Sequence, residues 1–249
     1  MIRNINWETY FCFIPKHINQ ENPITGEVTP GFLIEGDMFL ADANLEEFLN
    51  PNHKLAMTGL TGEQYRTNNL VSVSGSVRTI SVIGYTGSGF ALTSKMRTGL
   101  QWAINNYNRL NLRLRFTLSF AASTNADIVV YNNGASGGGG SAGFPTGGNP
   151  FKWVQINAGT DGFSTNVNEH VIGHEIGHCI GFRHTDYFNR SISCSSGGNE
   201  GNGGVGAIHI PGTPTTNVNS STSLMLACFN SGVDGEFTSS DITALNFLY

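Results

Sequence analysis

Residues 174–186 read HEIGHCIGFRHTD. On a helix, His174 and His178 lie four residues apart and project from one face, where two neutral imidazoles can share a metal ion. Glu175 follows the first histidine and can reach the open side of that metal as a general base. H-E-x-x-H alone is a short pattern that recurs by chance, so the continuation decides its meaning. Gly181 stands where a left-handed residue can end a helix and turn the chain, and His184 returns from that turn as a third imidazole. Three histidines leave a fourth tetrahedral position for water, which is the layout of a catalytic zinc rather than a structural one.

His170, one turn before His174, is one histidine too many for this set and reads as a structural residue beside the ligands. His209, in IHIPGTP (208–214), is a candidate for the substrate cleft or for a surface loop. His17 and His53 carry no metal-type spacing.

Working outward, VRTISVIGY (77–85) reads as a strand, and SKMRTGLQWAINNYNRL (94–110) places Met96, Leu100, Ala103, Ile104, Tyr107 and Leu110 on one helical face. LRLRFTLSF (112–120) alternates as a half-buried strand, and ADIVVYN (126–132) and FKWVQIN (151–157) read as further strands. The glycine-rich NNGASGGGGSAGFPTGGNP (132–150) reads as a flexible surface connection, since it lacks the P-loop pattern. A helix over about 166–181 carries the histidines, a long irregular stretch runs to about 223, and SSDITALNFLY (239–249) closes the chain as a helix capped by Thr238 with Asp241 three positions on. The expected fold class is α+β, with a twisted mixed sheet, an active-site helix, a loop-rich C-terminal part and a terminal helix.

The composition narrows the function classes. A formal charge of −5 over 249 residues argues against nucleic acid or an anionic membrane as partner. No run of about 18 apolar residues is present, so no membrane span is expected. The amino terminus lacks the pattern of a signal peptide, while the sparse charge and abundant Gly, Ser, Thr and Asn suggest a secreted or periplasmic protein whose signal is absent here. Of Cys12, Cys179, Cys194 and Cys228, none forms a CxxC pair. A Cys194–Cys228 disulfide would tie down the irregular segment, and Cys179 reads as a small buried residue. Calcium sites are candidates in the loops at 132–150 and 191–206, without ligand spacing to identify one.

H-E-x-x-H-x-x-G-x-x-H resembles the zinc signature of the metzincin clan of metalloendopeptidases. SLMLACF (223–229) is similar to the methionine turn of that clan, which assigns Met225 to it. HEIGH, IHIPGTP, the turn followed by Cys228, and DITALNFLY resemble the bacterial HEIGH-type metallopeptidases over residues 67–249. Thr185 and Asp186 depart from the astacin pattern, which has Glu directly after the third histidine. The resemblance implies a metzincin-like catalytic domain that cleaves protein or peptide substrates. It also implies a substrate paired as an added strand along a sheet edge, for which 151–157 is the candidate, with Trp153, Val154 and Gln155 as substrate-binding residues.

Residues 1–66 differ in character, with four of the eight prolines and a cluster of acids. LIEGDMFL (33–40) resembles the F-x-G-D stretch of astacin pro-segments, whose aspartate coordinates zinc in place of water; Asp37 is the matching residue. Cys12 is the alternative blocking ligand. Residues 1–66 are therefore expected to form a pro-segment acting as an intramolecular inhibitor, cut at an exposed Arg66, with 67–249 as catalytic domain. Two rival functions stay open: an inactive zinc-stabilised binding module, which has no need of Glu175, and a zinc amidase acting on cell-wall peptides.

Overall fold

The computed structural model of the chain describes residues 16–48, 62–201, 204–216 and 222–249. Cys12 and His53 lie outside these residues. The strands are β1 (Lys16–Glu21), β2 (Val28–Ile34), β3 (Met38–Ala41), β4 (Tyr65–Arg66), β5 (Arg78–Tyr85), β6 (Leu114–Ala121), β7 (Ile128–Asn132), β8 (Gly140–Gly143), β9 (Trp153–Ile156) and β10 (Ile208–His209). The α-helices are α1 (Leu45–Phe48), α2 (Ser94–Arg109), α3 (Thr165–Ile180), α4 (Ser191–Cys194) and α5 (Ser239–Leu248). Eight strands form one mixed sheet in the order β1-β2-β3-β8-β9-β7-β5-β6, and β4 pairs with β10 in a small second sheet.

Alternation in the strands builds the main core. Ile80, Val82, Leu114, Phe116, Ile128, Val130, Val154 and Ile156 are buried with Met96, Leu100, Ala103 and Ile104 of α2 and Val171, Ile172 and Ile176 of α3. Both helices thus cover one face of the sheet, and α3 lies against β8 and β9. Each of the Val, Leu, Ile, Met and Phe side chains among these stabilises the fold by about 1.5–3 kcal/mol relative to exposure. Cys179 is a free thiol buried in this core, and the expected Cys194–Cys228 disulfide is formed.

The glycine-rich stretch is corrected from a flexible connection to a structural element. Within it, β8 runs antiparallel to β9 and parallel to β3. Its sequence, Gly-Ser-Ala-Gly, offers no bulky alternation to announce a strand, and the reason is spatial. A Cβ on Gly140 would lie 2.7 Å from the Gln155 carbonyl oxygen and 2.9 Å from Glu175 Cγ.

The edge expected at 151–157 is corrected too. β9 sits between β8 and β7, with backbone pairing on both sides. Trp153 and Gln155 face away from α3, into a groove shared with Gln20 and Thr29 of the β1–β2 hairpin, while Val154 is core. None of the three is available as a free edge.

The exposed cleavage point expected at Arg66 is not found. Arg66 pairs with Ile208 and bridges to Phe182. Just before it, Gln64 is fully buried and its amide donates to Ser223 Oγ at 2.8 Å and Asp241 Oδ1 at 2.6 Å. Residues 62–66 are thereby built into the C-terminal part. Gly140→Ala should lower the unfolding free energy by about 1–3 kcal/mol, because one contact is backbone and cannot yield. An unchanged denaturation midpoint would contradict the close approach.

Candidate metal centre

Helix α3 begins where Ser164 Oγ accepts from the Val167 N–H, and ends at Gly181, which adopts φ 111°. That left-handed residue reverses the chain, and a Cβ there would add strain to a clash with Leu70 at 2.7 Å. The reversal carries His184 back over the helix. One oxygen of Asp37 and one nitrogen each of His174, His178 and His184 then lie within 4.8 Å of one another.

Each imidazole is oriented through its other nitrogen. His174 Nδ1 donates to the Leu224 carbonyl oxygen at 2.8 Å, and His178 Nδ1 donates to that of Phe182 at 2.8 Å. A carbonyl only accepts, so both neutral rings carry their proton on Nδ1 and turn the Nε2 lone pair to the cluster. His184 Nδ1 donates to Glu200 Oε1 at 2.6 Å. The Nε2 atoms of His178 and His184 are buried without a hydrogen-bond partner, as is Asp37 Oδ1. Asp37 Oδ2 stands 2.9 Å from His184 Nε2. Buried lone pairs converging on one point fit a divalent metal, and three imidazoles with a carboxylate suit zinc.

Burial pushes the His174 ring down to about 4, aided by His184, and holds His178 well below its ordinary value. Burial pulls His184 the same way, but the Glu200 and Asp37 carboxylates outweigh it and raise the ring. Glu175 is pushed up by burial and then by Asp37, and its Oε2 is buried without a hydrogen bond. It lines a cavity of about 280 Å³ together with Asp37, His170 and His174. His170 lines the cavity but does not join the four converging donors, as its sequence position implied.

The segment 223–225 is held from three sides. Asp241 of α5 accepts from Ser223 Oγ at 2.6 Å and from the Leu224 N–H at 3.1 Å while also capping its own helix. The Thr185 N–H donates to the Met225 carbonyl at 2.7 Å. Asp186 accepts from the Ala227 N–H at 2.9 Å and from Ser193 Oγ at 2.6 Å. Met225 is buried under α3 at Gly177, where an added Cβ would meet its sulfur at 2.5 Å. The glycine of HEIGH is thus explained by close packing.

His209 does not line the cavity; it bonds to the Pro214 carbonyl at 2.9 Å and packs on Tyr65. Glu200 was not singled out from the sequence. It is fully buried, held down to about 2 because His184, Arg183 and Arg190 outweigh its burial. A lone glutamate in SSGGNEGNGG gives no signal of this, since its partners lie across a loop. No second group of three or more His, Cys, Asp or Glu side chains converges among the described residues. No described helix is long and apolar enough to cross a membrane.

Comparison with known proteins adds three findings. No curated protein matches the sequence. The structure of myroilysin aligns at 13% identity and a TM-score of 0.40, covering 69% of this chain and 92% of that one. High choriolytic enzyme 1, a hatching-enzyme zinc protease from the medaka fish Oryzias latipes, aligns at 17% identity and a TM-score of 0.40, covering 73% and 94%. Scores at that level carry no assignment. The dual-action HEIGH metallo-peptidase family, in contrast, matches residues 32–249, a span that includes Asp37 as well as the three histidines. The chain belongs to the dual-action HEIGH metallopeptidase family and is a zinc metallopeptidase.

Proposed function

We propose that this chain is a secreted zinc endopeptidase in latent form. In this reading His174, His178 and His184 hold the catalytic zinc, Glu175 is the general base, and Asp37 fills the position that water needs. The observation that carries it is the convergence of those four donors beside Glu175 in one cavity. When bound there, zinc supplies Lewis-acid polarisation and an acidified water. His174 and His178, kept neutral by burial, present Nε2 without first losing a proton. Glu200 orients His184, and the 223–225 segment with Met225 orients His174 from beneath. The Glu175 carboxylate takes a proton from the attacking water and returns it to the leaving amine.

Strand β8 replaces β9 as the edge for a protein or peptide substrate. β3, from the N-terminal segment, already pairs with β8, and the Ala142 N–H donates to the Asp37 carbonyl at 2.8 Å. Removing that segment would free β8 for an extended peptide. The segment thus acts as an intramolecular inhibitor in two ways, through the metal position and through the edge. Its C-terminal limit is proposed before Gly62 rather than at residue 66, because Gln64 and Tyr65 are buried against the C-terminal part. The disulfide fits an oxidising compartment and so supports secretion.

Chelator-sensitive cleavage of casein by an activated chain is the expected outcome. Zinc binding with no hydrolysis would favour the inactive binding module, and hydrolysis of cell-wall peptides alone would favour the amidase. Glu175→Gln should retain zinc and lose about 10²-fold to 10⁴-fold in turnover; near-normal turnover would remove it as the base. Asp37→Ala in the full chain should raise basal casein cleavage, and unchanged latency would refute the aspartate block. Glu200→Gln should weaken zinc binding by about 10-fold to 100-fold in a competitive chelator titration, while an unaltered affinity would deny Glu200 its orienting part.

A further inference from the structure

The turn that delivers Asp37 carries a second side chain into the cavity. Ile34 to Asp37 form a tight turn closed by the Asp37 N–H and the Ile34 carbonyl at 3.3 Å, with Glu35 at φ 55° and Gly36 at φ 91°. Glycine, asparagine or aspartate is the ordinary occupant of the first of these left-handed positions, and glutamate is strained there. Its carboxylate meets Nη1 of Arg190.

Arg190 is anchored from behind. Its Nε lies 3.5 Å from Glu200 Oε1, and Nη2 donates to the sulfur of Cys194 at 3.7 Å, beside the disulfide to Cys228. The side chain is 12% exposed and lines the same cavity as His174 and Glu175. Glu200 is already engaged by His184 and Arg183. The carboxylate that meets Nη1 therefore comes from the N-terminal segment.

We propose that Arg190 is a specificity residue that selects an acidic side chain in the substrate, and that Glu35 stands in for that side chain in the latent chain. The inference rests on the endopeptidase reading and extends it to a substrate class. A peptide carboxylate replaces Glu35 on the Arg190 fork, a charge-assisted pair in a largely buried pocket. Asp37 sits at the metal cluster two residues from Glu35, so the preferred acidic residue lies within two positions of the scissile bond.

The test uses the full chain carrying Glu35→Ala and Asp37→Ala, which removes both carboxylates from the cavity, cut by an added protease before Gly62 so that β3 no longer holds β8. Peptide pairs differing only by Glu or Gln at each position near the cleaved bond are compared by kcat/KM. The glutamate peptide should be favoured about tenfold or more at one position within two residues of the bond. Adding Arg190→Gln should bring that ratio to about one by slowing the glutamate peptide, and Arg190→Lys should retain part of the preference. Equal rates for both peptides, or a preference that survives Arg190→Gln, would overturn the proposal. If the zinc-loaded chain cleaves no peptide even after the cut before Gly62, the endopeptidase reading fails by itself. Equilibrium binding of the same pairs then still reads the pocket: tighter, Arg190-dependent binding of the glutamate peptide supports the proposal, and equal binding overturns it.

Discussion

The left-handed turn at Gly181 is the constraint on which the rest of the site depends. A helix can hold two histidines on one face at i and i+4, but it cannot supply a third at the same point without leaving the helix. Ending α3 at residue 181 lets His184 approach from outside while Phe182, within the same turn, offers its carbonyl to His178. The turn also fixes its surroundings, because the Thr67 N–H donates to the Gly181 carbonyl at 2.8 Å and the Arg183 N–H to that of Tyr65 at 2.9 Å. One glycine thus links the metal cluster to the small β4–β10 sheet.

Around that turn, orientation is built from three different sources. His174 is held by a backbone carbonyl of the 223–225 segment, His178 by its own helix end, and His184 by a buried carboxylate. Only the last brings charge, and that charge is shared. Glu200 also pairs with Arg183 at 3.1 Å, with both side chains almost wholly buried. Buried pairs of this kind contribute little net stability but leave a large cost when one member is lost. The same carboxylate lies behind Arg190, so ligand orientation and the cavity wall are mechanically connected.

Much of this was legible in the sequence because the relevant signals are local. The histidine spacing, Gly181, the capping pair Thr238–Asp241 and the alternation of the central strands all act within a few residues of themselves. LIEGDMFL stood out by its likeness to a known pro-segment stretch, and Asp37 lies at the cluster. What stayed hidden depends on contacts made far along the chain. β8 carries only small residues, with Gly140 crowded by β9 and Glu175, so the strand reads as a loop and β9 reads as an edge although it lies inside the sheet. Arg66 looked exposed in a polar stretch, but its ladder partner is some 140 residues away at Ile208. Glu200 sits among glycines that give no period at all.

The central claim is that Asp37 completes a tetrahedral metal site with three histidines in the uncut chain. X-ray absorption at the zinc edge of the zinc-loaded full-length protein tests it most directly. The account predicts three imidazole nitrogens and one carboxylate oxygen at about 2.0–2.2 Å, with the carboxylate contribution lost in Asp37→Ala while the imidazoles remain. An identical spectrum for both proteins, or a sulfur neighbour at about 2.3 Å assigning the fourth position to a cysteine, would contradict it.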